Sequence, residues 1–186
     1  MILTLVVCWT NHFEIGGGCL SPSAKTKGEK VMELKDSGSR RKFESGAVRD
    51  VAEGKGRCDL LPLRVMGMVL GADMILCCID DYIRKGDITD VISAIQMFSE
   101  QRYGSIYNAF LEVAKHYEDG ANKYAERNWE QGIPLHCYID SGVRHYFKFM
   151  RGDTDEPHDR AFLWNMLCAI WTHRNKPEMI DLPFKE

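Results

Sequence analysis

The most regular alternation of hydrophobic and polar positions in the chain lies in residues 106–127. Apolar side chains recur there at helical spacing, as in a stripe that packs on a core: Ile106, Phe110, Val113, Tyr117, Ala121 and Tyr124. A polar row at i, i+4, i+7 and i+11 shares another face of the same helix: Glu112, His116, Asp119 and Lys123. We predict an amphipathic helix whose polar row is either solvated or able to hold a ligand.

Three further segments show helical patterns. Residues 87–101 form a predicted amphipathic helix with Asp87 or Thr89 as its cap. Residues 136–150 and 157–173 are two more helices, ended by glycine and proline. No strand pattern of convincing length appears. With the apolar segment described next, the sequence predicts an all-α fold, a bundle of about five helices.

The apolar segment at residues 60–83 is predicted to be a buried core helix. Arg64 and Asp73 interrupt it, which excludes a membrane span. A chain of 186 residues suits one domain. The formal net charge of -3 argues against a partner that is a nucleic-acid polymer. Seven cysteines without a CxxC spacing indicate reduced thiols in a cytoplasmic protein, not a disulfide framework or a cysteine-ligated zinc site.

The N-terminal part divides into two segments. Residues 1–31 are expected to be an over-extended reading frame before a start at Met32, or a disordered leader. Residues 32–59 are glycine-rich and basic and predict a loop that forms one domain with residues 60–186. Backbone N–H groups and cations such as Lys55 and Arg57 can contact phosphates there, although the spacing of a P-loop is absent.

The chemistry is concentrated in three blocks at residues 123–129, 140–146 and 152–165. Carboxylates and imidazoles from neighbouring helices can hold a cation, and a Trp beside an Asn can stack on and read a base. Each feature also has a structural alternative. Asp140 and Arg144 can form a surface pair, the acids before the last helix can cap it, and Trp129 can pack in the core.

Several histidine, aspartate and asparagine side chains in or near the last predicted helix have other possible roles. The pair His158–Asp159 resembles the metal pair of HD-domain phosphohydrolases, whose further ligands are available only loosely: His136 or His145, and Asp181. His145 taken alone fits a hydrogen-bonded core residue better than a ligand. Asn165 lies among apolar neighbours and needs a hydrogen-bond partner if it is buried.

Four ordered motifs within residues 38–171 are SGAVRDxxxGKGRxDLLP, DGANKYAERNW, YIDSGVRH and GDTDEPHDRAFLWN. With them the chain resembles the dATP/dGTP diphosphohydrolase N-terminal domain family of phages and prophages, which is associated with MazG-like all-α pyrophosphohydrolases. Residues 73–107 look like an insertion relative to shorter relatives. The resemblance implies Mg²⁺-dependent cleavage of a nucleoside triphosphate to the monophosphate and pyrophosphate. The ExxE and ExxD pairs typical of MazG-like enzymes are not present in full.

On this resemblance we expect hydrolysis of dATP or dGTP with Mg²⁺ or Mn²⁺ as cofactor, by a homo-oligomer in the cytoplasm of the host cell. The expected metal ligands are Glu112, Asp119, Asp140 and Asp155. The expected catalytic residues are His158 and Asp155. The expected phosphate-binding residues are Lys55, Arg57, Lys123 and Arg144, and the base-binding residues are Asn128 and Trp129. The alternatives are a phage protein that sequesters a nucleotide without cleaving it, and an accessory domain that binds another protein.

Overall fold

The structure, a computed structural model, describes residues 39–184. Its secondary structure consists mainly of six α-helices, which confirms the predicted all-α class. They are α1 (Leu63–Val69), α2 (Met74–Lys85), α3 (Ile88–Tyr103), α4 (Ile106–Lys123), α5 (Leu135–Arg151) and α6 (His158–Asn175). Within the described part, no helix is long and apolar enough to cross a bilayer. The predicted leader, residues 1–31, lies outside the described residues.

The apolar segment at residues 60–83 contains two helices, so the prediction of one continuous helix was wrong. Gly71 and Ala72 have φ values of 81° and 76°, which a helix cannot accommodate. The next residue, Asp73, caps α2 because its carboxylate accepts hydrogen bonds from the N–H groups of Ile75 and Leu76. The polar residue that interrupts the apolar run therefore starts a new helix.

The predicted cap of α3 is confirmed at Asp87, whose side chain accepts a hydrogen bond from the N–H of Thr89 at 2.9 Å. Gly86 precedes it in the left-handed conformation, with φ 74°, and ends α2. The chain therefore reverses between α2 and α3 within two residues.

The buried face of α4 is rotated from the predicted one. Ala109, Val113 and His116 are its buried residues, whereas Phe110 is 47% exposed. The reason is that α4 packs on α3 and α6, which bury the row that contains His116. The assignment of His116 to a solvated polar row was therefore wrong.

The glycine-rich segment carries a short antiparallel hairpin of β1 (Arg40–Lys42) and β2 (Val48–Asp50), where only a loop was predicted. Asn128 fixes β2 from the side: its amide oxygen accepts from the N–H of Val48 and its amide nitrogen donates to the carbonyl of Val48, both at 2.9 Å. Three-residue strands are marginal alone, so these tertiary bonds hold the hairpin beside the end of α4.

Candidate functional site

A cavity of about 960 Å³ lies between the hairpin, the C-terminal half of α4, α5 and the start of α6. Its wall combines cationic and aromatic side chains with several carboxylates. The cations and rings include Arg49, Lys55, Lys123, Tyr124, Trp129 and Trp164, and the carboxylates are Asp50, Glu118, Glu126, Asp155 and Glu156. Small-molecule pockets typically occupy roughly 300–1,000 Å³, so the cavity has room for a ligand the size of a nucleotide.

Arg49 of β2 is a cation of the cavity wall that several contacts hold in place. Its Nη2 donates to Oδ1 of Asn165 at 2.8 Å, and its guanidinium lies 5.0 Å from the ring centroid of Tyr138 and 5.6 Å from that of Trp164. The buried Nη1 atom has no hydrogen-bond partner among residues 39–184. A guanidinium N–H group without an acceptor destabilises the site until an anion or another acceptor approaches it.

The predicted need of Asn165 for a partner is confirmed, since Asn165 is buried and also donates to the carbonyl of Ala161 at 2.8 Å. Sequence reasoning did not single out its partner, Arg49. Arg49 and Asn165 are 116 residues apart, so no local pattern predicts their contact. The only sequence feature that pointed to Arg49 was its position in the GAVRD motif.

His116 lines the same cavity and lies beside Trp164, with 5.7 Å between ring centroids. Burial lowers the pKa of His116 to about 4, so the imidazole is neutral at physiological pH. Its Nδ1 atom is buried and has no hydrogen-bond partner in the part of the chain that the structure covers. The cavity wall therefore contains two buried nitrogen atoms without partners.

The two predicted base-binding residues both line the cavity. The amide of Asn128 is engaged with the backbone of Val48, which leaves it little capacity to read a base. Trp129 packs edge-to-face on Trp171 and Tyr117, with centroid distances of 5.0 and 5.7 Å. Trp129 thus packs on other rings and also lines the cavity, so its position is compatible with both alternatives that the sequence left open.

Three of the four predicted phosphate-binding residues line the cavity, namely Lys55, Lys123 and Arg144. The Nζ atom of Lys123 lies 2.7 Å from a carboxylate oxygen of Asp50. Arg57 lies apart from the cavity wall and forms two hydrogen bonds with Asp59, at 2.7 and 2.5 Å. The placement therefore does not support a role for Arg57 in phosphate binding.

Arg144 anchors the glycine-rich loop. Its Nη2 atom contacts both carboxylate oxygens of Asp140 at 2.5 and 2.6 Å and donates to the carbonyl of Gly56 at 2.8 Å. Asp140 in turn accepts from the N–H of Cys58 at 2.7 Å. The predicted Asp140–Arg144 pair forms, but Asp140 is buried, so the pair holds the loop on α5 and is not a surface contact.

The four carboxylates predicted to bind metal do not come together. Glu112 lies 2.5 Å from Nη2 of Arg160 and 2.6 Å from Nζ of Lys115. Asp140 is held by Arg144, and neither Asp119 nor Asp140 is in any group of three potential ligands among residues 39–184. Arg160 and Arg144 neutralise Glu112 and Asp140, so these two acids do not contribute to the oxygen cage that Mg²⁺ requires.

A different cluster forms where α5 faces the start of α6. The Nδ1 atoms of His145 and His158 are 3.0 Å apart, and Oε1 of Glu156 lies 3.6 Å from the first and 3.5 Å from the second. On its other side, His158 contacts Oδ1 of Asp155 through Nε2 at 2.8 Å. Burial holds the pKa of His145 well below its usual value, so His145 is neutral. His145, Glu156 and Asp155 line the cavity, whereas His158 lies behind them.

The geometry of an HD phosphohydrolase is not formed by the described residues. Asp159 turns away from His158 and accepts from Nε of Arg102 at 2.8 Å. His136 pairs with Asp181, and this hydrogen bond raises the pKa of His136 to about 10. Of the two histidines that the sequence offered as further ligands, His145 is the one that contacts His158.

The fold and the site together define an all-α protein with a cavity lined by charged and aromatic side chains, beside a cluster of histidine and carboxylate side chains. Residues 99–182 match the model of a family described as dATP/dGTP diphosphohydrolase, N-terminal. The match confirms the resemblance for the segment that contains α4, α5 and α6. Comparison with curated proteins and with solved structures gave no match.

Proposed function

We propose that the protein binds a purine deoxynucleoside triphosphate in the cavity and hydrolyses it between the α and β phosphates. Water attacks the α phosphorus, the bond from that phosphorus to the bridging oxygen breaks, and the products are the deoxynucleoside monophosphate and pyrophosphate. The observation that carries the proposal is Arg49, whose buried Nη1 atom lacks a hydrogen-bond partner among residues 39–184 and whose side chain lines a cavity of nucleotide size. The activity follows the name of the matched family.

The polyphosphate lies on the hairpin side of the cavity in this proposal. Arg49 is held in place by Asn165 and by two aromatic rings, so little side-chain entropy is lost when it binds an anion. Lys55 lines the same side from the glycine-rich loop that Arg144 fixes. A rigid guanidinium with a flexible ammonium nearby suits a chain of phosphates.

The base lies against the aromatic side of the cavity. Trp129 and Trp164 both line it, and each is held by contacts with other rings. Stacking of a base on an aromatic side chain contributes ~1–3 kcal/mol. The larger face of a purine suits this wall better than a pyrimidine does.

Asp155 is the proposed acceptor for the proton of the attacking water. It lines the cavity, and its hydrogen bond with Nε2 of His158 at 2.8 Å orients the carboxylate. A divalent ion, Mg²⁺ or Mn²⁺, neutralises the charge of the polyphosphate when it is bound with the nucleotide. The carboxylates that reach the cavity beside this position are those of Asp155 and Glu156.

The experiment is incubation of the protein with the four deoxynucleoside triphosphates and with ATP and GTP, in Mg²⁺, Mn²⁺ or EDTA, followed by ion-exchange chromatography. We expect equal amounts of monophosphate and pyrophosphate from dATP or dGTP, and none with EDTA. The Asp155→Asn variant is the matched control, because it should retain nucleotide binding and lose turnover. Diphosphate and inorganic phosphate as products would contradict cleavage between the α and β phosphates.

The second candidate function is sequestration of a nucleotide without hydrolysis. It is favoured by one observation, that the predicted acids Glu112 and Asp140 are neutralised by Arg160 and Arg144. Tight binding of a purine nucleotide, with the nucleotide recovered unchanged under every metal condition, would establish this function and exclude the hydrolase.

A further inference from the structure

Three potential ligand atoms at the edge of the cavity, two of them from residues that line it, form a triangle of the size that a metal ion imposes on its ligands. The sides are 3.0 Å from Nδ1 of His145 to Nδ1 of His158, and 3.6 and 3.5 Å from these atoms to Oε1 of Glu156. Two ligand atoms that each lie about 2.1 Å from one ion are roughly 3.0 Å apart at a right angle and roughly 3.4 Å apart at the tetrahedral angle. The three side chains can therefore bind one ion with little movement.

The hydrogen bond behind His158 selects the tautomer that binds metal. Asp155 can only accept when it is ionised, so the 2.8 Å contact requires a proton on Nε2 of His158. The Nδ1 atom of His158 then carries a lone pair that points at His145 and Glu156. A carboxylate that fixes a histidine ligand in this way is a common partner in metal sites.

A second group of possible ligands shares His158 but fits less well. Its other members, Asp153 and Asp155, have side chains that are 21% and 32% exposed, and Asp153 is engaged by Arg151. In the first group, the side chains of His145, Glu156 and His158 are 18%, 16% and 1% exposed. The first group is thus the more buried and the better oriented.

We propose that His145, Glu156 and His158 bind one divalent first-row transition ion such as Mn²⁺, Fe²⁺, Co²⁺ or Zn²⁺, with Asp155 as a positioning residue. Two imidazole nitrogens and one carboxylate suit these ions, whereas Mg²⁺ favours oxygen ligands. The remaining coordination positions face the cavity, because His145 and Glu156 line it. The site does not depend on the identity of the nucleotide proposed above.

The side chain of Lys148 places a positive charge next to the proposed metal site. Its Nζ atom lies 3.8 Å from Oε1 of Glu156 and 3.5 Å from Oδ2 of Asp155. A bound dication repels this ammonium, which has to swing outward into solvent. Removal of the charge in Lys148→Met should therefore increase metal affinity, whereas a site elsewhere would be insensitive to the change.

The test is a titration of the EDTA-treated full-length protein with Co²⁺, followed by calorimetry and by visible absorption from the metal d–d transitions. We expect one ion per chain. Glu156→Gln and His145→Gln should each weaken binding by tenfold or more, and Asp155→Asn by about 10–100-fold. Melting temperatures measured without metal identify any variant that fails to fold. The side chain of Asp155 is 32% exposed, so Asp155→Asn should fold and tests the site even if another variant does not.

His136→Gln is the matched control, because His136 offers a competing site with Cys137, whose Sγ lies 3.3 Å from Nε2 of His136. Binding that is unchanged in His136→Gln and lost in Glu156→Gln supports the proposal. Intense sulfur-to-cobalt bands in the near ultraviolet spectrum of the unmodified protein, together with loss of binding in His136→Gln, would overturn the proposal. The absence of stoichiometric Co²⁺ binding would also overturn it. Neither negative result affects nucleotide binding at Arg49, so this failure and that of the proposed function are distinguishable.

Discussion

Substitution of Arg49 by glutamine tests the assignment of the cavity. The change removes the guanidinium that contacts Asn165, Tyr138 and Trp164 and that carries the Nη1 atom without a partner among the described residues. A hydrogen bond to a charged group contributes about 1.5–3 kcal/mol. Since 1.4 kcal/mol corresponds to tenfold in affinity, nucleotide binding should weaken by roughly 10- to 150-fold.

The effect on stability should be smaller than the effect on binding. Loss of the cation–π contacts costs ~0.5–2 kcal/mol, while removal of a buried N–H group without an acceptor offsets part of this cost. The assay is calorimetric titration with the non-hydrolysable α,β-methylene analogue of dATP or dGTP, with a thermal melt of each protein.

The matched control is Arg41→Gln. Arg41 is paired directly with Arg49 in the hairpin register, carries the same charge, and lies exposed against Phe43 outside the cavity. The affinity of Arg41→Gln should stay within about twofold of the unmodified protein, because exposed charges are screened by salt. Equal affinities of Arg49→Gln and the unmodified protein, or equal losses in both variants, would refute a specific phosphate contact at Arg49.

Three other predictions concern His116, Trp129 and the pair of His136 with Asp181. Burial lowers the pKa of His116 to about 4, so below pH 6.5 the unfolded chain binds more protons than the folded protein. The free energy of unfolding should therefore fall by about 3 kcal/mol between pH 6.5 and pH 4. Urea denaturation should show a shallower fall with pH for His116→Gln, and equal slopes for the two proteins would contradict the prediction. Trp129→Ala should weaken nucleotide affinity about tenfold to a hundredfold and also lower the melting temperature, since Trp129 both lines the cavity and packs on Trp171. A loss of stability with unchanged nucleotide affinity of the folded fraction would show that Trp129 is not part of the binding site. The hydrogen bond to Asp181 raises the pKa of His136 to about 10. This pair should therefore stabilise the fold fully below pH 6.5 and lose its effect as pH rises towards 10. Asp181→Asn should abolish that part of the pH dependence of stability, and an unchanged dependence would contradict the prediction.

Local patterns predicted the features that depend on neighbours in sequence. The cap at Asp87 and the helices that correspond to α3 to α6 follow from periodicity and capping chemistry. The need of Asn165 for a partner also followed from its apolar surroundings, and the structure supplies Arg49.

The features that depend on contacts distant in sequence could not be predicted in this way. Periodicity gave α4 a polar row, but only the packing of α6 decides that His116 is buried and that Glu112 meets Arg160. The hairpin depends on Asn128, which is 80 residues away from Val48. Carboxylates of suitable type were therefore predicted as one metal cluster, whereas Glu112 and Asp140 are each engaged by an arginine.

The most direct test is a crystal structure of the protein with the α,β-methylene analogue of dATP or dGTP. We expect density for one nucleotide in the cavity, with a phosphate oxygen within hydrogen-bond distance of Arg49 and the purine against Trp129 or Trp164. A nucleotide bound at another surface, with Arg49 and the cavity unchanged, would contradict the central claim.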